Sequence, residues 1–400
     1  MLLRNVIFGI LFCAALYLPF GLSGCSEEGD VEEKPVAANG TMYQVIYTYS
    51  LGECIGWKII AGGAAVNGGS NCSDAVPDLR AMIGVPGTAG PGSMPPAGNL
   101  LPGATSGSQG ILLAADAFAG VDAFDLATGA RLATMPVQGN PLDLVSLPGQ
   151  NTVYAVLYPS FGASPSIAVI DGAQLKITAN IPLPANTFPI CGALSPDGAT
   201  LYVSNEGSSD FGASPNTSIL VIDTASRTVT GSIPLPAAVN VNVFGNYQRL
   251  AVSPDGSLLY ANSSGGLEAI DTRTLSPVSF IQLTPGLFPG QVSPAPHIVF
   301  APDGSAAYMA VLGGKGAYIV VINPDTSQQV NSVQIGSPTS YLSDLAITLD
   351  GSALFALDQS TGITYPVNTA TLTVGTPIPR PNLPPSATVP IVFSGFVMRP

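Results

Sequence analysis

Residues Leu194 to Asn205 read L-S-P-D-G-A-T-L-Y-V-S-N, and Ser218 to Pro236 read S-I-L-V-I-D-T-A-S-R-T-V-T-G-S-I-P-L-P. Asp197-Gly198 predicts a two-residue hairpin, because a type I′ turn needs positive φ at both central residues. The apolar β-rich runs on either side predict short antiparallel strands. Asp223 ends one of them, and its side chain predicts an Asx turn. Pro234 ends the last, because proline cannot donate to a ladder.

This unit recurs along the chain. The hairpin pair returns at Asp255-Gly256, Asp303-Gly304 and Asp350-Gly351. The residue that ends the third strand of each unit returns at Asp125, Asp171, Asp223, Asp271, Asn323 and Asn368, so that successive units are 45 to 52 residues apart. Four short strands in a repeat of roughly 40–50 residues are typical of a β-propeller blade. The sequence therefore predicts an all-β propeller over residues 111–400.

The order S-P-D-G-x-x-L-Y-V-x-N, V-I-D-T and I-P resembles the YVTN-type β-propeller repeat over about 111–400. The resemblance implies the fold and says little about activity, because propellers host many functions. It also implies a strand order, labelled A to D from the axis outward. Strand A precedes each D-G turn and strand B follows it. The Asx corner ends strand C, and strand D runs into I-P.

The number of blades depends on how the ring closes. Ile111 to Ala115 is a B strand with no A strand before it, and Val389 to Ser394 resembles an A strand with no B strand after it. We therefore predict six blades, with the C-terminal strand completing the first. Such closure removes exposed sheet edges. A seventh blade built partly from Tyr43 to Ile60 is the alternative.

The N-terminus predicts export and anchoring. Arg4 is the only charge before Glu27, and an apolar run follows it, which is typical of a signal peptide over residues 1–24. Leu22-Ser23-Gly24-Cys25 resembles a bacterial lipobox, which implies lipidation at Cys25. With Ser26 following, it also implies localisation in the cell envelope, anchored to the outer membrane. The alternative is an ordinary signal peptide with an incidental cysteine. Residues 25–40 are acidic and predict a tether.

Residues 41–75 predict a small β appendage, with one strand at Met42 to Tyr49 and another at Trp57 to Ile60. Cys54 and Cys72 predict a disulfide in an exported protein, with two free thiols as the alternative. Residues 76–110 are rich in Pro, Gly, Ala and Ser, which predicts a linker.

Composition restricts the chemistry. The net charge of −13, with 12 Lys and Arg, argues against nucleic acid. His297 is the only histidine, so a multi-histidine metal site is excluded and a triad has no G-x-S-x-G motif to support it. We therefore predict no metal, no cofactor and no catalytic residue. Calcium at Glu206 and Asp210 stays an alternative. Cys191 is expected to be buried in an A strand.

Loop lengths point to one face of the disc. The A–B and C–D turns are short, whereas the B–C and D–A connections are long, and binding usually sits on long loops of a rigid scaffold. One histidine and seven aromatic residues fall on or near these connections and are the predicted contacts: Phe161, Phe188, Phe211, Phe244, Tyr247, Phe288, His297 and Tyr341. The alternative is that the aromatics pack under their own loops. The Asp residues that end C strands are expected to form turns rather than a charged ring.

We therefore expect a monomeric, lipid-anchored binding or scaffold module of the cell envelope. The expected ligand is an envelope or extracellular protein, a peptide or a glycan. The alternatives are an enzyme, because some propeller relatives are lactonases or lyases, and a structural protein for surface display.

Overall fold

The computed structural model describes residues 42–50, 53–61, 64–69, 79–85, 111–116, 120–125, 131–147, 150–159, 163–206, 217–235, 249–263, 266–284, 287–288, 298–348, 350–358, 361, 363–378 and 397–398. Every helix or strand assigned within these ranges is a β-strand. The all-β class predicted from the repeats is therefore confirmed, and the strands pair antiparallel throughout the part of the chain that the structure describes.

Six antiparallel blades follow one another along the chain. Blade 1 consists of β4 (Leu79–Val85), β5 (Ile111–Asp116), β6 (Gly120–Asp125) and β7 (Arg131–Met135). Blade 2 consists of β8 (Asn140–Val145), β9 (Thr152–Tyr158), β10 (Ser166–Asp171) and β11 (Lys176–Pro182). Blade 3 consists of β12 (Pro189–Leu194), β13 (Thr200–Asn205), β14 (Ser218–Asp223) and β15 (Thr228–Pro234).

The remaining blades repeat this plan with small changes. Blade 4 consists of β16 (Leu250–Val252), β17 (Leu258–Ser263), β18 (Gly266–Asp271) and β19 (Ser276–Gln282). Blade 5 consists of β20 (Leu287–Phe288), β21 (Ile298–Phe300), β22 (Ala307–Gly313), β23 (Gly316–Asn323) and β24 (Gln328–Ile335), with both β20 and β21 paired to β22. Blade 6 consists of β25 (Leu342–Ile347), β26 (Ala353–Asp358) and β27 (Ile363–Asn368).

A further sheet, here called the closing sheet, joins the two ends of the chain. It consists of β1 (Met42–Ser50), β2 (Glu53–Ala61), β3 (Ala64–Gly69) and β28 (Val397–Met398). Strand β28 pairs with β1 through Met42↔Met398 and Tyr43↔Val397. The two strands predicted between residues 41 and 61 are thus present. They belong to the closing sheet, and the prediction of a propeller with six blades is confirmed.

The innermost strands form a continuous ring. Each contacts the next in the order β4, β8, β12, β16, β21, β25 and β28, and β28 contacts β4. The closing sheet therefore lies between blade 6 and blade 1. Because both chain termini contribute to this sheet, the ring has no open end among the described strands.

The closure of blade 1 differs from the prediction, and the predicted strand Val389 to Ser394 lies outside the described residues. The inner strand of blade 1 is β4, which pairs with β5 from Leu79↔Asp116 to Val85↔Ile111. The C-terminal strand β28 pairs instead with β1. Strand β4 lies within residues 76–110, so the predicted linker contains a strand. The short apolar run Leu79–Val85 is flanked by Pro- and Gly-rich sequence, and that composition concealed it.

Burial follows the position of a strand within its blade. All four central residues of β14 are buried, because neighbouring blades cover both faces of this strand. Strand β15 alternates between exposed residues and residues that are partly buried or, at Ile233, fully buried, since it lies at the outer edge. The buried residues accordingly form layers between blades, such as the cluster that joins Val156 of blade 2 to Leu201 and Ile222 of blade 3.

The D-G turns differ from the predicted two-residue hairpins. Strand β12 ends at Leu194 and β13 begins at Thr200, and Gly198 is the residue with positive φ (+72°) in the connection between them. The Gly198 N–H donates to the Ser195 carbonyl at 2.8 Å. Pro196 occupies the second position of this turn, where its fixed φ favours type I geometry. Only the glycine therefore needs a left-handed backbone.

Candidate binding face

Two faces of the ring can be distinguished by the connections they carry. In blade 3 the A–B connection spans 195–199 and the C–D connection spans 224–227, and we call the face that carries them the short-turn face. The B–C connection spans 206–217 and the D–A connection that follows blade 3 spans 235–249, and we call their side the long-loop face. The difference in connection length predicted from the repeats is therefore confirmed in this blade.

The C–D corners of the short-turn face use their acidic side chains for structure. Asp223 Oδ1 accepts a hydrogen bond from the Ser226 N–H at 2.6 Å, and Asp271 Oδ1 accepts one from the Thr274 N–H at 2.6 Å. The pKa of the Asp223 carboxyl is lowered by hydrogen bonding from the Ser226 side chain and then from its N–H, and that of Asp271 by the bond from the Thr274 N–H. The expected turn-forming role of these residues is confirmed, and the repeated aspartates are turn residues rather than a ligand-binding ring.

The A–B turns of the short-turn face also use their acidic side chains for structure. Asp197 Oδ1 accepts hydrogen bonds from Ser195 Oγ at 2.6 Å and from the Ala199 N–H at 3.0 Å. Asp350 has the same pair of bonds, from Thr348 Oγ1 and the Ser352 N–H, and its pKa is lowered to about 2 by the hydrogen bond from Thr348 and then by that from Ser352.

On the long-loop face, the end of strand B holds the start of strand A. Asn205 Oδ1 accepts from the Phe188 N–H at 2.8 Å, and Asn262 Oδ1 accepts from the Arg249 N–H at 2.6 Å. Asp358 does the same in blade 6, accepting from the Tyr341 N–H at 3.1 Å. The final Asn of the L-Y-V-x-N motif is therefore a clamp for the D–A connection.

Two of the predicted aromatic contacts lie among residues whose side chains are described. Phe188 is partly buried, and its ring centroid lies 5.9 Å from that of Tyr158 in blade 2. Tyr341 is also partly buried, and burial raises the pKa of its hydroxyl. Both rings therefore lie between solvent and core, at the starts of β12 and β25.

The other predicted site residues stay predictions. Phe161, Phe211, Phe244, Tyr247 and His297 lie outside the described residues, and Phe288 is placed in β20 without a described side chain. The same holds for the cysteines: Cys25 and Cys72 lie outside the described residues, and Cys54 is in β2 without a described side chain. The lipidation and the disulfide are thus untested.

A buried ionic link near the axis was missed by the sequence reasoning. Asp143, in β8, accepts from the Gly192 N–H of β12 at 2.9 Å and lies 3.5 Å from Nη1 of Arg249, which precedes β16. Three consecutive blades are therefore connected through one carboxylate. The signal that could have revealed it is an aspartate within an apolar A strand, which recurs as Asp344 in β25.

Cys191 lies beside this link and has an unreactive thiol. It is buried as expected, and its Sγ lies 3.3 Å from Ser204 Oγ. Burial, and then the charge of Asp143, raises the pKa of its thiol to about 12. Because the thiolate is the reactive form of cysteine, this residue is not a nucleophile at neutral pH.

Glu206 differs from the other acidic residues of the site. It follows β13 as the first residue of the B–C connection, and its Oε2 is buried without a hydrogen-bond partner. Burial raises the pKa of the carboxyl to about 7. The calcium alternative paired this residue with Asp210, which lies outside the described residues.

Among the described residues, no three His, Cys, Asp or Glu side chains are grouped so that they could hold a metal ion. Within the part of the chain that the structure describes, no helix has the length and apolar character needed to cross a membrane.

No protein-family model matches the chain, and no curated protein matches its sequence. Among solved structures, the chain is similar to the Kuenenia stuttgartiensis hydrazine synthase, with a TM-score of 0.46 and 21% sequence identity. The match covers 60% of this chain and 66% of the other, so this chain spans just under two thirds of the matched chain's length. The sheets described above, rather than this likeness, define the chain as a β-propeller.

Proposed function

We propose that this chain is a lipid-anchored, extracytoplasmic binding or scaffold module of the cell envelope, and that it binds through the long-loop face. The β-propeller fold suits such a role, because it presents loops on a rigid ring of sheets. The proposed ligand is an envelope or extracellular protein or peptide. Membership of the YVTN-type repeat family is part of the proposal and rests on the repeated motifs.

The difference between the two faces carries the proposal. On the short-turn face, acidic side chains such as Asp197 and Asp223 are hydrogen-bonded within their own turns. On the long-loop face of blade 3, the connections 206–217 and 235–249 are the longer ones, and the buried Glu206 Oε2 at the start of the first has no partner. A buried acceptor without a partner costs free energy, and a donor from a ligand would remove that cost.

A pair of matched surface substitutions tests the choice of face. Ser164, in the B–C connection of blade 2, and Ser226, in a C–D corner of blade 3, are both exposed. We expect Ser164→Arg to reduce the proteins that copurify with the chain from solubilised membranes, because it adds a long cationic side chain to the binding face. Ser226→Arg should leave them unchanged. An equal loss from both variants, or a loss from Ser226→Arg alone, would contradict the proposal.

The anchor is tested separately at Cys25. In the host cell, the chain should incorporate labelled palmitate and stay with the membrane fraction, because several acyl chains hold a protein stably on a bilayer. Cys25→Ser should abolish the label and release the chain, whereas Cys191→Ser changes a buried thiol and should leave the label unchanged. A label that persists in Cys25→Ser would refute lipidation at this residue.

A further inference from the structure

Glu206 is held by its backbone on two sides. Its N–H donates to the Phe188 carbonyl at 3.0 Å, on the A-strand side of blade 3. Its own carbonyl accepts from Thr217 Oγ1 at 3.3 Å, next to the start of β14. The side chain therefore projects from a fixed point on the long-loop face rather than from a free segment of loop.

Glu206 is partly buried, and one of its carboxylate oxygens is fully buried without a hydrogen-bond partner. Three buried carboxylates in the described residues have donors: Asp122 accepts from Arg131, Asp143 from Gly192, and Asp358 from Ser340 and Thr361. Glu206 Oε2 is buried and has none. An acceptor that has lost water and gained no partner costs free energy, so such a group calls for an explanation.

Among the described residues, no neighbouring cation compensates the charge of the ionised Glu206 carboxylate. Its raised pKa has burial as its cause, without a contribution from a neighbouring charge. The cation at the start of the next blade, Arg249, is paired with Asp143. The partly buried ring of Phe188, next to that of Tyr158, provides apolar surface at the same end of the blade.

We propose that Glu206 binds the ammonium group of a lysine side chain that belongs to a peptide segment of the ligand. This inference rests on the proposed function and specifies one contact of the long-loop face. An ammonium supplies donors to the unpartnered oxygen and a charge that favours the ionised carboxylate. Lysine carries it on a slender four-carbon stem that can pass apolar surface and reach a shielded atom. The net charge of −13 favours the approach of a basic segment.

Titration calorimetry of the full chain in detergent tests the contact. The probe is Nα-acetyl-lysine amide, and Nα-acetyl-norleucine amide is the neutral control with a stem of similar length. Glucosamine offers an amine on a sugar ring. The matched variants are Glu206→Gln, which keeps the shape of the side chain, and Glu268→Gln, which changes another buried glutamate in blade 4. At pH 8 we expect saturable binding of the lysine probe to the wild type and to Glu268→Gln, and at least tenfold weaker binding to Glu206→Gln.

Three results would overturn the inference: no saturable binding of the lysine probe, equal binding by Glu206→Gln and the wild type, or binding of glucosamine but not of the lysine probe. If Glu206→Gln does not fold, the pH dependence of the wild type decides. Affinity for the lysine probe should rise about tenfold from pH 6 to pH 8, because the carboxyl must ionise to pair with the amine. A flat profile would contradict the contact.

The outcome also separates this inference from the proposed function. If a partner copurifies through the long-loop face and Glu206→Gln does not weaken it, only the lysine contact is wrong. If the lysine probe binds in a Glu206-dependent manner but Ser164→Arg leaves copurification unchanged, the proposed partner surface is wrong and the amine site stands.

Discussion

Thr224 Oγ1 donates a hydrogen bond of 2.7 Å to the carbonyl oxygen of Gly198, and so ties the C–D corner of blade 3 to its A–B turn. The same bond recurs at 2.6 Å from Thr272 to Gly256 and at 2.6 Å from Thr369 to Gly351. In these three units, the Thr that follows the Asp or Asn at the end of strand C and the D-G dipeptide are therefore two halves of one structural contact. This explains why both motifs recur together on the short-turn face.

Removal of this tie should destabilise a blade. Thr272→Val keeps the shape of the side chain and deletes the bonds from its hydroxyl to the Gly256 and Ser257 carbonyls. We expect a loss of about 1 kcal/mol in the free energy of unfolding, measured by urea denaturation. Thr326→Val, at an exposed corner of blade 5, should stay within about 0.5 kcal/mol of the wild type. Equal effects from the two variants would show that the tie has no role in stability.

The clamp at the end of strand B should be interchangeable between amide and carboxylate. Asn205→Leu leaves the buried end of β12 without an acceptor for the Phe188 N–H, and we expect it to cost about 1–3 kcal/mol of unfolding free energy. Asn205→Asp keeps an acceptor oxygen, as Asp358 does in blade 6, and should cost less. Urea denaturation of both variants checks the order, and a larger loss from Asn205→Asp would refute the clamp.

Substitution by alanine should destabilise the chain at only one of two nearby glycines of blade 5. Gly316 has φ +112°, and an added Cβ would lie 2.5 Å from the Ser337 carbonyl oxygen. Gly314 has no atom within 4 Å of such a Cβ. We expect Gly316→Ala to lower the free energy of unfolding by about 2 kcal/mol or more, and Gly314→Ala to stay within about 0.5 kcal/mol. Thermal denaturation separates the two, and similar melting temperatures would contradict this geometry.

The link between Asp143 and Arg249 should behave as a coupled pair. Arg249→Met removes the guanidinium from a buried carboxylate, and we expect a loss of about 3 kcal/mol. Asp143→Asn in the same chain removes that charge, so the double variant should be more stable than the sum of the single losses predicts. A double-mutant cycle in urea measures the coupling, and strictly additive losses would show that the pair does not interact.

Glu206 should make stability fall as pH rises through the acid range. Burial raises its pKa in the folded state from the ordinary glutamate value of 4.5 to about 7. Below pH 4.5 the carboxyl is protonated in both states, whereas between 4.5 and 7 it ionises only in the unfolded chain, which favours unfolding. The difference in unfolding free energy between wild type and Glu206→Gln should shift by at most about 3 kcal/mol over this window, and by less where solvent reaches the group. A constant difference from pH 4 to 8 would contradict the raised pKa.

Local signals explain what could be predicted from the sequence. Asp223 and Gly198 form hydrogen bonds with residues only three positions away in the sequence, so their roles in turns can be inferred from spacing alone. The repetition of these turns along the chain then predicts the blades. The detailed form of the D-G turn could not be inferred in the same way, because Pro196 favours a different backbone from that of a two-residue hairpin.

Contacts between distant parts of the chain explain the rest. Strand β4 is short and lies in sequence of linker composition, and only pairing with β5 reveals it as the inner strand of blade 1. Asp143 and Arg249 are brought together by the curvature of the ring across three blades. The unpartnered oxygen of Glu206 is a property of packing, so its residue type and position alone do not predict it.

Site-specific photo-crosslinking in the native cell tests the central claim most directly. A photoreactive residue is placed at Ser164 on the long-loop face or at Ser226 on the short-turn face, both of which are exposed in the wild type. A discrete adduct from Ser164 and none from Ser226 is the result we predict, and it would identify the partner. An adduct from Ser226 alone, or the same adduct from both positions, would show that the long-loop face is not the binding face.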